Sequence, residues 1–127
     1  MVKKKVILTE KAPKPLGPYS QAIQAGNTLY VSGQVGIDPS TGKVVEGGIQ
    51  AQTKQALENI RKILAEVGMT PENAVKASVF ITKAEDFKPM NEVYTQFFKE
   101  NFPARTTVIA KLASDQLLVE IDLIAQA

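Results

Sequence analysis

Residues 49–67 read IQAQTKQALENIRKILAEV, a helical repeat set between two stretches of strand period. Ile49, Thr53, Ala56, Ile60, Ile63, Leu64 and Val67 recur at three- and four-residue spacing, which lays one apolar stripe along a helix. Gly47 and Gly48 precede it, and Gly68 follows at the C′ position that ends a last turn. On both sides the period falls to two. Upstream, residues 28–35 place Leu29, Val31, Gly33 and Val35 on one face, with Tyr30, Ser32 and Gln34 on the other. Downstream, residues 74–81 place Val75, Ala77, Val79 and Ile81 together. A strand, a helix and a strand in that order begin a layered sheet.

Working outward, Gly26-Asn27 joins residues 28–35 to a strand at 21–25 as a short hairpin. Val6-Ile7-Leu8 reads as a first strand. Residues 11–18 contain three prolines and a glycine, which admit neither a regular ladder nor a helix. Asp38-Pro39-Ser40-Thr41-Gly42-Lys43 is a turn, and Thr70-Pro71-Glu72 is a short capped one. A second helix carries Phe87, Met90, Tyr94, Phe97 and Phe98, with Pro89 tolerated in its first turn, until Phe102-Pro103 stops it. The last third reads as a hairpin of residues 105–112 and 117–125 around Ala113-Ser114-Asp115. The order β-β-β-α-β-α-β-β predicts an α+β fold with a mixed sheet of about six strands and two helices on one face. Residues 1–127 are expected to form one domain, since a chain of this length removes roughly two thirds of its unfolded surface from water. The uncovered face would carry Ser32, Gln34, Glu120 and Asp122 beside Tyr30, Phe80, Leu118 and Ile124. That is too apolar to leave wet, so copies of the chain are expected to pack sheet to sheet.

Composition narrows the chemistry. Hydrophobic residues make up 44% and charged residues 22%, ordinary for a globular chain. Histidine and cysteine are both absent, which removes the usual general base, the strongest nucleophile and the commonest transition-metal ligands. Net charge is +2, with much of the basic excess in Lys3-Lys4-Lys5. No histidine is available for acid–base work on RNA, the pI is only 8.8, and no basic patch is interleaved with aromatics; these features argue against a nucleic-acid partner. No apolar run approaches the roughly 20 residues of a membrane span. The early lysines are followed by only Val6-Ile7-Leu8, too short for a signal-peptide core, so a cytoplasmic location is expected.

Within Phe102-Pro103-Ala104-Arg105-Thr106-Thr107-Val108, Arg105 places a permanent cation at the head of a β-branched run. It needs an anion. Glu120 or Asp122 across the terminal hairpin could supply one, or a small ligand's carboxylate could be held by two parallel charge-assisted hydrogen bonds. Both remain open on the sequence. Glu120 alternates with Asp122 in an apolar run, where a carboxylate either acquires a raised pKa suited to proton transfer or serves as an edge charge against aggregation. Tyr19 follows Gly17-Pro18 in the irregular loop and either projects over a pocket or packs as a lid. In Ser32-Gly33-Gln34, the glycine allows a ligand or another backbone to approach closely. Asn91, near the start of the second helix, either donates to an anion or assists capping. Gly47-Gly48 lacks the lysine and spacing of a phosphate loop.

Five blocks in order carry a resemblance from about Leu8 to the C-terminus. They are Pro15-Leu16-Gly17-Pro18-Tyr19-Ser20-Gln21-Ala22, Val31-Ser32-Gly33-Gln34, Asn91, Phe102-Pro103-Ala104-Arg105-Thr106-Thr107-Val108 and Val119-Glu120-Ile121. Together they resemble the RidA (YjgF-type) reactive-intermediate deaminases. The resemblance implies a chorismate-mutase-like fold and a homotrimer with active sites in the clefts between subunits. It implies small 2-imino acids as substrates, hydrolysed to 2-oxo acids and ammonia without metal or cofactor. Arg105 would then bind the substrate carboxylate and Glu120 would position or activate water. Tyr19 would close the pocket by hydrogen bonding, Ser32 and Gly33 would line it, Asn91 would support it, and the Thr107 backbone would meet the imino nitrogen. Thr107 stands where many relatives carry cysteine. Leu112-Ala113-Ser114 stands where relatives often have Leu-Pro, which bears on the register expected to bring Glu120 to Arg105. A protein that binds 2-oxo acids without turnover would use the same Arg105. Ribonuclease or translation-inhibitor activity, ascribed to parts of the family, fits this histidine-free chain less well.

Overall fold

In the computed structural model, which describes residues 2–127, helix α1 spans Gly48–Glu66. Its stripe faces inward as the spacing predicts: Thr53, Ala56, Ile60, Ile63 and Leu64 are buried, and Leu57 joins them. Gly68 takes a left-handed φ of 74°. Its N–H bonds the Ala65 carbonyl at 3.0 Å while the Met69 N–H reaches back to Leu64 at 2.9 Å, closing the last turn. Helix α2 spans Phe87–Phe98 and packs on α1, burying Met90, Tyr94 and Phe98.

The sheet has six strands: β1 (Lys4–Ile7), β2 (Ala22–Ala25), β3 (Thr28–Val35), β6 (Ala74–Ile81), β7 (Ala104–Ile109) and β8 (Val119–Gln126). Two further short strands, β4 (Ile37–Asp38) and β5 (Lys43–Val44), close a separate ribbon over the expected turn. The spatial order is β1-β2-β3-β8-β6-β7. Only β6 and β7 run parallel; the other neighbours are antiparallel, so the sheet is mixed as expected. Both helices and the inner residues Leu29, Val31, Val79, Ile81, Val119, Ile121 and Leu123 form one apolar core. Among the described residues, no helix is long and apolar enough to cross a membrane.

Three expectations are corrected. The terminal hairpin does not exist: β6 stands between β7 and β8. The unit β6-α2-β7 is a crossover that lays β7 parallel beside β6, leaving β8 to pair with the other edge of β6 and with β3. The assigned faces also shift. A bulge in β3 between Val31 and Gln34 adds a residue, so Gln34, not Val35, takes the buried position opposite Ile121. A second irregularity, between Ala74 and Lys76, turns Val75 out to solvent. The first strand ends at Ile7, leaving Leu8 exposed.

Buried amide side chains hold the irregular segments. Gln21 donates to the carbonyls of Thr9 at 3.0 Å and Pro13 at 2.9 Å, and accepts from the Thr9 N–H at 2.7 Å. The proline-rich loop lacks ladder bonds, and Gln21 supplies partners in their place. Gln52 of α1 similarly accepts from the Leu118 N–H at 2.8 Å and donates to the Gln116 carbonyl at 2.9 Å. Asn59 donates to the carbonyls of Val35 and Ile37. The sheet face away from the helices stays partly apolar, with Val6, Tyr30 and Val108 exposed and Phe80, Leu118 and Ile124 half-buried.

Candidate functional site

Arg105 lies beside Ala77 in the β6–β7 register. Ala77 is fully buried beneath the helices, so Arg105 projects toward the same side and meets α2. Its Nη1 donates to Asn91 Oδ1 at 2.7 Å. The guanidinium carbon lies over the Tyr94 ring, 4.7 Å from the centroid, and 5.8 Å from that of Phe87. Phe87, Asn91 and Tyr94 follow i, i+4, i+7 spacing and so share one face of α2. Among the described residues no carboxylate pairs with Arg105; the ion pair formed joins Arg61 to Glu58 at 3.2 Å. The cation is therefore half-buried, braced by aromatic rings and one amide, with most of its donors uncommitted. Asn91 thus accepts from Arg105, and the cap of α2 falls at Asp86 rather than at Asn91. Two residues along β7, the Thr107 Oγ1 is buried with no hydrogen-bond partner. As the strand at one end of the sheet, β7 also keeps backbone groups along its outer edge free of ladder partners.

Glu120 occupies the other face. Its β8 neighbours Val119 and Ile121 are fully buried in the core, so its carboxylate emerges on the uncovered side. Gly33 makes room for it: a Cβ at that position would stand 2.7 Å from Glu120 Cδ and would also collide with Oε2. The close approach expected at Gly33 is thus made by a side chain of the same protein. Burial raises the Glu120 pKa above its ordinary value of 4.5, and the neighbouring charge of Asp122 raises it further. Tyr19, Tyr30, Ser32, Gly33, Glu120 and Asp122 line an open groove of about 600 Å³. Ser32 ties the loop to β3, donating from Oγ to the Ser20 carbonyl at 2.6 Å and from its N–H to Gln21 at 2.9 Å. That attachment brings Tyr19, half exposed, to the rim, where its hydroxyl accepts from the Leu16 N–H at 3.4 Å.

The seven candidate residues therefore fall into two groups. Arg105, Asn91 and Thr107 face the helix side at the β7 edge, whereas Tyr19, Ser32, Gly33 and Glu120 face the opposite side. Strand β6 separates the two groups. The expected register that brings Glu120 to Arg105 is overturned within one chain, and so is the alternative salt bridge across a hairpin. Phe87 and Tyr94 are missed by the sequence reading, which assigns both to the core stripe. Their spacing with Asn91 was the available signal.

The two-layer α+β scaffold thus carries an arginine without a carboxylate partner among the described residues on one side and a carboxylate of raised pKa on the other. Residues 9–127 match the family described as Endoribonuclease L-PSP. A RutC family protein of Pyrococcus abyssi is 49% identical over 122 residues, covering 96% of each chain. A human protein named 2-iminobutanoate/2-iminopropanoate deaminase is 43% identical over 122 residues, covering 96% of this chain and 89% of its own length. The crystal structure of a Rid family protein from Yersinia pestis superposes with a TM-score of 0.93 at 44% identity, covering 98% of this chain and all of that one. The chain belongs to the RidA/YjgF family.

Proposed function

We propose that this protein hydrolyses 2-imino acids such as 2-iminobutanoate and 2-iminopropanoate to 2-oxo acids and ammonia, in the cytoplasm, at sites shared between the subunits of a homotrimer. The observation that carries this reading is the half-buried, carboxylate-free guanidinium of Arg105 at one edge of a sheet whose opposite face presents Glu120. A second copy would bring its Tyr19, Ser32, Gly33 and Glu120 against the Arg105, Asn91 and Thr107 of the first. Packing copies on the uncovered sheet face would also remove Tyr30, Phe80 and Val108 from water.

Arg105 takes the substrate carboxylate through two parallel hydrogen bonds, which fixes the imino carbon. A protonated imine is already electrophilic, so water needs orientation more than a strong base. Glu120 accepts a proton from that water as oxygen bonds to carbon and the C=N pair withdraws to nitrogen. The proton passes to the nitrogen of the tetrahedral intermediate. Glu120 then takes the proton of the new hydroxyl as the O–H pair closes C=O and the C–N bond breaks, and the 2-oxo acid leaves with ammonia, to which that proton is handed. Tyr19 closes the pocket, and the Thr107 backbone meets the imino nitrogen.

The test generates the imine in situ with an amino-acid oxidase and traps what survives with semicarbazide. Wild type is expected to suppress trapping. Arg105→Ala should lose on the order of a hundredfold or more in kcat/KM while remaining folded, since charge-assisted hydrogen bonds and orientation are both removed. Imine that persists unchanged with wild type would reduce the cleft to a binding site.

A further inference from the structure

We infer that Tyr94 is a positioning residue for Arg105, its buried ring holding the guanidinium so that the donor edge stays turned toward the substrate carboxylate; this rests on the reading of Arg105 given above. Tyr94 is only 4% exposed. Its ring packs against Phe98 at 4.7 Å and lies stacked with Phe102 at 6.5 Å. Arg105 therefore rests on a ring that is itself packed into the core. A guanidinium can meet an aromatic face with its own face and a carboxylate with its edge, so the two contacts do not compete. Asn91 holds Nη1 from the side, and Phe87 adds a second, more distant ring. Three side chains one helical turn apart thus restrain a long cation before ligand arrives, and binding need not order it.

The hydroxyl of Tyr94 has no part in this. It is buried, has no hydrogen-bond partner among the described residues, and its pKa is raised by burial against the opposing pull of Arg105. It is therefore poorly placed to move a proton. The ring face is what the site uses.

Tyr94→Phe and replacements by phenylalanines bearing more ring fluorines separate electronics from packing, because fluorination drains the negative face while changing the shape little. With 2-iminobutanoate as substrate and 2-oxobutanoate as binding probe, Tyr94→Phe should stay within about twofold of wild type in KM and Kd. Fluorination should then raise both stepwise, reaching on the order of three- to thirty-fold, with kcat and Tm nearly constant. Phe87→Leu should raise KM in the same direction by less. Flat KM and Kd across the fluorinated series, with wild type active, would overturn the role of Tyr94 and leave the deaminase reading intact. A wild type that neither hydrolyses imine nor binds 2-oxobutanoate would overturn that reading and this inference with it.

Discussion

Gly33→Ala should disable the protein without unfolding it. The added Cβ would stand 2.7 Å from Glu120 Cδ and 3.0 Å from Cγ, where ordinary contacts begin at 3.4 Å. The carboxyl carbon must therefore retreat by roughly 0.7 Å or more, and its oxygens with it. Gly33 is not among the glycines with positive φ, so alanine meets no backbone strain there. The obstacle is the far end of a side chain on the open face, which can swing away at a cost within about 1 kcal/mol of stability. A catalytic group displaced on this scale loses on the order of ten- to a hundredfold in kcat/KM. Imine hydrolysis, thermal unfolding and oligomer size would be followed together, with Glu120→Gln and the double variant beside them. Because both substitutions act through one carboxylate, the double variant should be little worse than Glu120→Gln alone. Wild-type activity in Gly33→Ala, or losses that multiply in the double variant, would show that Gly33 does not act by making room for Glu120.

The raised pKa of Glu120 gives a second prediction with a definite sign. The folded protein holds a proton that the unfolded chain releases near pH 4.5, so stability falls as pH rises from there through the higher folded value. Glu120→Gln should therefore match wild type in Tm near pH 4 and exceed it at neutral pH, whereas an unchanged difference across that range would reject the shift. If the carboxylate accepts the proton from water, the acidic limb of kcat/KM should also lie above pH 4.5. Gln21→Ala should cost on the order of 2–4 kcal/mol in chemical denaturation, because Thr9 and Pro13 lose the partners that Gln21 supplies inside the protein. It should also loosen the loop bearing Tyr19, which proteolysis at residues 11–18 would detect.

Both helices and most strands were legible because their signals are local. The stripe from Ile49 to Val67, the Gly68 terminator and the alternation around Leu29 and Val31 each follow from backbone geometry over a few residues. Strand pairing is different: nothing within residues 105–125 records that β6 inserts between β7 and β8. The strand–helix–strand pattern of residues 74–109 was the better guide, since such units place their strands parallel and side by side. The bulges were hidden for a related reason. One extra residue near Gly33 exchanges Val35 for Gln34 in the core without disturbing the alternation on either side. For the site, the chemically distinctive residues were visible from their types and surroundings. Their division between two faces was not, because Arg105 and Glu120 are assigned to sides only once the sheet order is known. Tyr94 was concealed by serving two roles at once, as core aromatic and as the surface beneath Arg105.

If Arg105 of one subunit and Glu120 of another form one site, mixing two variant subunits restores it. Arg105→Ala and Glu120→Gln would each be purified inactive, unfolded, combined in equal amounts and refolded, and the mixture assayed for imine hydrolysis. Random assembly puts an intact Arg105 against an intact Glu120 at about a quarter of the sites, so activity should return to roughly a quarter of refolded wild type. A mixture as inactive as its two parents, although refolded wild type recovers under the same conditions, would show that the two residues do not meet across subunits.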